Sequence, residues 1–391
     1  MSPGRLPAAL PATLAAVILL IAGALAGCGS TPAATPSGPA VPVAAPPLQT
    51  SFADGTGTSW AVVEMGGSAA QEENFWEMFA RPAGAAAWRL VTPAGVADNG
   101  GLVAAPAGGA SLLTGFLPSQ DLTFSPLADT SDSGAHWATA GPVNPGLADV
   151  PDALAARPDG NLIALTSGGA KLGQYGGTGW TRLITAQALA ATPAGKPCQV
   201  TGLTAVAFGS AGAPVPGTAP VLGTGCSRPA FAGIFTDSGG HWHAAGPAVP
   251  NVRTDIEVLR LASAGTGLVA LLQAGRGPDA STIAAWYDGS RWTLSAPLRT
   301  GIVRSTAIGP GGSVGIILNA AHAATLAGPG GSWRALPALP RWTATLALGP
   351  GGQVDAIAAH ASTFTDWRLS PAAAWSQGQT IRITIPYGSS G

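Results

Sequence analysis

Charge is scarce in this 391-residue chain: Asp, Glu, Lys and Arg together make up 9% of it, with 18 basic residues against 19 acidic ones. Lysine occurs only as Lys171 and Lys196. No basic stripe forms, which excludes nucleic-acid binding, because phosphate neutralisation needs clustered Lys and Arg. Helical periodicity is almost missing. The 35 prolines and 56 glycines interrupt nearly every window longer than about ten residues, leaving residues 184–191 as the single short stretch with helical character. There is no Gly-x-Ser-x-Gly elbow, P-loop, Cys-x-x-Cys pair or dinucleotide fingerprint, so no cofactor is expected.

Only three cysteines are present, Cys28, Cys198 and Cys226. Residues 1–27 read as an export signal: Arg5 supplies the charge, residues 12–26 the apolar run, and Leu25-Ala26-Gly27-Cys28 resembles a bacterial lipobox, after which Cys28 is lipidated. Pro7 and Pro11 leave the run short of the ~20 residues a membrane span needs. The expected address is therefore the outer face of the bacterial cytoplasmic membrane, with contact to the membrane through the lipid alone. That leaves Cys198 and Cys226 as a pair in an exported protein. A disulfide between them would contribute roughly 3–4 kcal/mol on the chain-entropy model; two reduced, buried thiols are the alternative. Residues 28–50 follow the lipidated cysteine as a Pro/Ala-rich tether that cannot bury enough surface to order itself. Residues 51–391 contain no second linker of this kind and are expected to form one large repetitive domain.

What the chain does have is repetition. Asp132-Ser133-Gly134-Ala135-His136-Trp137 returns as Asp237-Ser238-Gly239-Gly240-His241-Trp242. Seven tryptophans follow turn-like segments, Trp88, Trp137, Trp180, Trp242, Trp292, Trp333 and Trp375, mostly at intervals in the forties. That period is the length of a four-stranded propeller blade, so the expected fold is all-β, a β-propeller of about seven four-stranded blades. The long step from Trp180 to Trp242 holds both Cys198 and Cys226, as a hairpin insertion pinned by a disulfide would. A second element places Pro then Gly between apolar runs, at 156–162, 308–314 and 348–354, and each reads as a hairpin turn. The continuous runs 162–165, 268–272 and 314–318 read as buried inner strands. Residues 380–385 alternate and should close the ring, either as the outermost strand of the last blade or by pairing with the segment near Phe52.

Thr130-Ser131-Asp132-Ser133-Gly134-Ala135-His136-Trp137 resembles the Asp-box, or BNR repeat, Ser/Thr-x-Asp-x-Gly-x-x-Trp, at every defined position. The copy at 235–242 departs at its first position, where Phe235 replaces the hydroxyl residue. The segment ending Asp288-Gly289-Ser290-Arg291-Trp292 is a shortened relative. The resemblance implies a sialidase-like propeller in which Asp132, Gly134 and Trp137, Asp237, Gly239 and Trp242, and Asp288 and Trp292 make peripheral turns: carboxylate on backbone N–H groups, glycine at the left-handed corner, indole between sheets. Sialidase chemistry does not come with it. The family's three arginines, activated tyrosine and acid/base Asp have no counterpart here: no arginine lies between Cys28 and Ala80, and the only tyrosines, Tyr175, Tyr287 and Tyr387, sit in degenerate turns or a Gly/Ser-rich tail.

Two clusters stand out as binding candidates. Glu73 and Trp76 belong to the densest patch of charge and aromatics, and offer a carboxylate and a stacking ring, or else a polar loop ahead of a strand. Arg253, Asp255 and Glu257, with Arg260 nearby, form a mixed-charge group at the opening of one blade, and read either as part of a channel mouth or as a salt-bridged edge. His136 and His241 occupy equivalent places in separate turns and do not converge with His243 into a zinc site, so no metal is expected. The expectation is a monomeric, non-catalytic binding or scaffold propeller presenting one face to a protein or glycan; the alternative is a sialidase-like glycoside hydrolase with a divergent site.

Overall fold

The computed structural model of the protein describes residues 49–53, 57–66, 74–96, 102–108, 111–116, 127–139, 151–177, 179–209, 219–252, 255–264, 267–319 and 321–383. Cys28, Glu73 and Arg253, with the lipobox and the tether up to residue 48, lie outside these residues; residues 49 and 50, expected to belong to the tether, are already in the first strand. Among the described residues, seven four-stranded antiparallel units follow one another. The first holds β1 (Gln49–Ala53), β2 (Ser59–Gly66), β3 (Asn74–Arg81) and β4 (Arg89–Leu90); the second β5 (Leu102–Gly108), β6 (Ser111–Phe116), β7 (Leu127–Thr130) and β8 (Ala138–Thr139). The third holds β9 (Ala153–Ala156), β10 (Asn161–Thr166), β11 (Gly169–Gln174) and β12 (Trp180–Ile184); the fourth β13 (Val200–Phe208), β14 (Pro220–Cys226), β15 (Ile234–Ser238) and β16 (His241–Ala244). The fifth holds β17 (Ile256–Ala264), β18 (Gly267–Ala274), β19 (Ser281–Tyr287) and β20 (Trp292–Leu294), with a short β21 (Leu298–Arg299) also on β19. The sixth holds β22 (Ser305–Ile308), β23 (Val314–Ile317), β24 (Ala323–Leu326) and β25 (Arg334–Ala335); the last β26 (Thr343–Leu348), β27 (Val354–His360), β28 (Thr363–Leu369) and β29 (Trp375–Arg382).

The core lies between units, and its order is cyclic. One apolar cluster joins units one and two (Trp60, Met78, Phe116), the next units two and three (Leu113, Leu162), a third units three to five (Ile163, Val221, Leu272). Others join five to six (Leu271, Ile316), six to seven (Ile317, Ala356), and seven back to one (Ile357, Phe79). Sheets that pack face to face in a closed series are the blades of a β-propeller. The apolar runs at 162–165, 268–272 and 314–318 fall on β10, β18 and β23, the second strand of each blade, which are buried inner strands as expected. Second strands are covered by a neighbouring blade on both faces, so their side chains need not alternate.

All seven tryptophans of the repeat lie within one residue of the start of an outermost strand. Three donate their indole N–H to a backbone carbonyl of the preceding blade: Trp137 to Val91 at 2.7 Å, Trp292 to Ala245 at 2.8 Å and Trp333 to Ala296 at 3.0 Å. Between blades two and three Tyr175 serves the same purpose, its hydroxyl donating to Ala138 O at 2.8 Å. Trp180 instead lies flat on Gly173 of its own sheet, where a Cβ would come within 2.7 Å of the ring.

The long step between Trp180 and Trp242 is occupied partly by a connector between β12 and β13 that carries α1 (Ala186–Ala191), capped by Thr185 through the Ala188 N–H at 3.1 Å. The hairpin insertion expected there is thus a helical crossover in its described part. The Cys198–Cys226 disulfide, Cα–Cα 4.9 Å, ties the end of that connector to the end of β14. The stretch 210–218 lies outside the described residues.

Ring closure uses no shared strand. β29 is the outermost strand of the last blade, pairing with β28, while β1 runs parallel to β22, matching Phe52 with Ile308. Side chains make the seam. Gln379 of β29 brackets Trp88, accepting its N–H at 2.7 Å and donating to its carbonyl at 3.1 Å. Arg368 donates to Ala86 O at 2.7 Å, and Phe79 stacks on Phe364 with centroids 3.9 Å apart. Beneath them Arg81 pairs with the wholly buried Asp355, which Gln353 also contacts. Removing one member of such a pair strands the other charge in the core. Arg81→Met is therefore expected to lower stability by about 3–5 kcal/mol in urea unfolding, and adding Asp355→Leu to recover most of that loss; a single variant as stable as the parent would show that the pair does not carry the seam.

Candidate functional site

The innermost strands surround an axial cavity of about 120 Å³. Its walls are residues 104–106 of β5, 153–156 of β9, 204–208 of β13 and 259–263 of β17, with Phe52 of β1 and Ile308 of β22. On β13, β1 and β22 these positions lie toward the C-terminal end of the strand, on β5 and β17 they are central or later, and on β9 they are the whole strand. β26 supplies no described wall residue, because β1 and β22 hydrogen-bond directly to each other on that flank. Alanine is the commonest wall residue, and that is why the axis stays open: side chains this small leave the middle of the ring unfilled.

Among the described wall residues Arg260 is the one that carries a charge. A β-bulge puts it there. Val258 pairs with Leu272 and Arg260 with Leu271, so Leu259 is the extra residue. Val258 and Leu261 consequently point into the core shared with blade four and Leu259 into that shared with blade six. Regular alternation would have sent Arg260 the same way as Val258; the bulge re-aims it. Desolvation pushes its pKa down to about 10, which leaves the guanidinium charged at neutral pH. The wall's two hydroxyls are turned to the backbone: Thr204 donates to Val258 O at 2.7 Å and Ser263 to Phe208 O at 2.8 Å. At the β9–β10 hairpin a second guanidinium, Arg157, lies 5.6 Å over the ring of the wall residue Phe208 and 3.0 Å from Asp159.

The residues singled out from sequence fall elsewhere. Trp76 on β3 is 5% exposed in the core between blades one and two, so its ring is not offered to a ligand. β3 is sandwiched between neighbouring blades, and the alternation of Trp76 with Phe75 that reads as a half-exposed strand has both faces covered. Asp255 and Glu257 sit at the start of β17, the opposite end from Ser263. Asp255 takes Arg276 bidentately at 2.9 and 3.0 Å in a largely exposed pair, worth little energetically. Burial raises the pKa of Glu257 against the pull of Arg276. Arg260 escaped notice as a site residue although its signal was legible: an arginine between Leu259 and Leu261 in the middle of an apolar strand.

The repeated turns differ from one another. Asp132 accepts the His136 N–H at 2.9 Å and the Thr130 hydroxyl at 2.8 Å, and meets His136 Nδ1 at 2.6 Å. The backbone bond from His136 is the main cause holding its carboxyl far below the usual range. Gly134 turns at φ 81°, and a Cβ there would strike Val91 at 2.6 Å. The copy at 237–242 departs from this. Gly239 and Gly240, at φ 64° and 87°, make a two-residue hairpin, and Asp237 falls in the β15–β16 ladder opposite Trp242, its buried Oδ1 without a partner. Two successive positive φ values suit a type I′ turn; in the first copy they fall one place earlier, on Ser133 and Gly134 at φ 60° and 81°, and there the Asp132 carboxylate reaches its own turn. Asp288 accepts the N–H groups of Ser290 and Arg291 at 2.8 and 2.9 Å, and Trp242 and Trp292 pack partly buried against the core of blades three to five.

No protein family and no curated protein matches the chain. Solved structures do. It is similar to YCF48 from Cyanidioschyzon merolae (13% identity, covering 81% of this chain and 94% of that one, TM-score 0.47). A candidate 6-phosphogluconolactonase from Bacteroides uniformis gives 12% identity over 83% and 96% with TM-score 0.48. The six-bladed fucose-recognising lectin of Aleuria aurantia gives 13% over 87% and 96% with TM-score 0.35.

Backbone bonds from Arg291 above all, with those from Ser290, lower the Asp288 pKa from 3.8 to about 2. The folded value lies below the unfolded one, so this turn's contribution to stability is complete above pH ~4 and disappears as pH falls toward ~2. Carbon-13 NMR titration is expected to give an Asp288 midpoint near 2; a midpoint at the ordinary aspartate value would show the turn unformed in solution.

Proposed function

We propose that this chain is a non-catalytic binding propeller, tethered by a lipid on Cys28 to the outer face of the cytoplasmic membrane, that takes its ligand in the axial cavity. The carrying observation is the composition of that cavity: apolar walls around one guanidinium. Pockets of this kind, mostly apolar with a few placed polar groups, are what bind and orient ligands. Hydrolysis would need a general acid paired with a base or nucleophile. Among the described wall residues there is no carboxylate and no tyrosine, and Thr204 and Ser263 are committed to backbone carbonyls. Tyr175 and Tyr287 lie on the outer part of their blades, with pKa values raised by burial, that of Tyr175 also by the neighbouring Asp129 carboxylate. A rigid ring with a small axial site suits capture of a partner's side chain or a small molecule better than turnover. The lipobox supports the address: a tether of some twenty residues lets the ring face away from, or along, the membrane.

Saturation-transfer NMR on the detergent-solubilised full chain is expected to show apolar fragments of benzene size in contact with the protein. Ala262→Phe, which fills the cavity from a partly exposed wall position, should abolish the transfer. Unchanged transfer in that variant would place binding elsewhere. Cys28→Ala should shift the protein from the membrane to the soluble fraction of a bacterial host; retention of the variant in the membrane would refute the lipid anchor.

A further inference from the structure

The chain enters the ring at one end, and two exposed apolar side chains stand at that same end. Gln49, the first residue of β1, is matched with Ser305, the first of β22. β26 runs the same way beside them: Ser305 donates to the Thr345 hydroxyl at 2.8 Å near the start of both strands, and Gly309 lies against Leu348 where both end. The connectors into β22 and β26 therefore surface together where the tether joins β1. Ile302 in the first and Trp342 in the second are 67% and 50% exposed, two of the three exposed large apolar side chains among the described residues. Apolar side chains scattered singly on a surface are ordinary, but these two are linked. Both connectors hang on the β23–β24 turn between them, the Arg304 N–H on Ile317 O at 2.8 Å and the Leu339 N–H on Ala321 O at 3.2 Å.

Trp342 is fixed in its exposed position. Its backbone is left-handed, at φ 66°, a conformation that a bulky residue keeps only where its surroundings hold it. Its carbonyl accepts the Ala359 N–H at 3.0 Å, its ring stacks on His360 at 4.0 Å, and the Arg341 guanidinium lies 5.1 Å over it. Arg304 is exposed beside Ile302, and His322 is exposed on the turn between the two connectors. The segments 300–304, 317–323, 337–343 and 358–363 contain no Asp or Glu. On the fifth blade Asp255 and Asp279 are paired with Arg276 and Arg299; on the first the β2–β3 turn, with Glu72 and Glu73, lies outside the described residues. Tryptophan favours the headgroup layer of a bilayer, and interfacial binding combines buried apolar surface with cations that meet anionic lipid. A tether of about twenty residues keeps the ring within reach of its membrane, so a contact too weak to recruit a free protein suffices for an anchored one. We propose that this end of blades six and seven docks on an anionic phospholipid surface, with Ile302 and Trp342 in the headgroup layer and Arg304 and Arg341 on lipid phosphates. The docking rests on the lipid anchor proposed at Cys28, and it turns the opposite end of the ring away from the membrane.

The test uses the full chain, purified in detergent from a bacterial host and reconstituted with excess vesicles of phosphatidylcholine alone or mixed with equimolar phosphatidylglycerol. Ile302→Cys carries a fluorophore that brightens in apolar surroundings, and Ala135→Cys carries the same label on the β7–β8 turn, which the antiparallel strand order puts at the other end of the ring. The label at position 302 should brighten about twofold or more with phosphatidylglycerol and little without it, and the label at position 135 with neither. Adding Arg304→Gln and Arg341→Gln should remove most of the rise, each arginine being worth about fivefold in partition onto an anionic surface, and Trp342→Ala should weaken it. No rise at position 302 with phosphatidylglycerol, an equal rise at position 135, or a rise unchanged by the loss of both arginines would overturn the docking. Flotation of the vesicles reads the anchor separately. A chain that floats with phosphatidylcholine vesicles but shows no rise at position 302 with phosphatidylglycerol keeps its anchor and loses the docking face. A chain that does not float with phosphatidylcholine has no lipid anchor, and the rise with phosphatidylglycerol then decides the docking face by the same criteria.

Discussion

Every sheet of this protein is covered on both faces by its neighbours, and that single constraint organises the rest. No blade owns a core; each apolar cluster belongs to two or three blades, and the last cluster returns to the first blade. A sheet with two buried faces at an open end would expose one of them, so stability and cyclic closure are the same requirement. The second strands show the consequence directly, as unbroken apolar runs such as that of β10. The outermost strands show its counterpart. There a tryptophan or tyrosine reaches across to a carbonyl of the preceding blade, converting an apolar contact with no preferred register into one with a fixed position.

Closure puts the heaviest demand on the seam between the first and last blades, because the chain does not cross it. Here the apolar layer is supplemented by directional contacts: Gln379 on the Trp88 backbone, Arg368 on Ala86, and the buried Arg81–Asp355 pair. A buried ion pair is a poor source of net stability, but it tolerates misalignment badly, and Asp355 with Gln353 and Arg81 can be satisfied in one arrangement of the two blades. The Cys198–Cys226 disulfide fixes the end of the connector between blades three and four to the end of β14.

The axial cavity follows from the same geometry. Innermost strands meet at their edges, small side chains leave the centre open, and the direct β1–β22 pairing narrows one flank. A functional group can be delivered to that centre only by breaking the alternation that sends side chains into the blade interfaces, and the bulge in β17 does so for Arg260. The outer turns, by contrast, are made locally. The Asp132 and Asp237 turns differ in where their paired positive φ values fall, on Ser133 and Gly134 in the first and on Gly239 and Gly240 in the second.

Much of the architecture was legible in the residues themselves, because the properties that define it are local and periodic. Tryptophans at blade spacing, Pro-Gly hairpins and continuous apolar strands repeat with the structure, and the helical turn near residue 186 has its own cap in Thr185. The site was not legible in the same way. Trp76 looked like a ligand-stacking ring and is core, while Arg260 looked like one charge among several at the edge of a blade and lines the axis. Sequence alone determined the repeat, the strand character and the pairing partners available to two cysteines, since these depend on neighbours along the chain. Tertiary structure decided which strand of each blade faces the axis, where the ring closes and which charge reaches the cavity, because those depend on contacts between residues hundreds of positions apart and on a one-residue bulge whose effect exists only once two strands are paired.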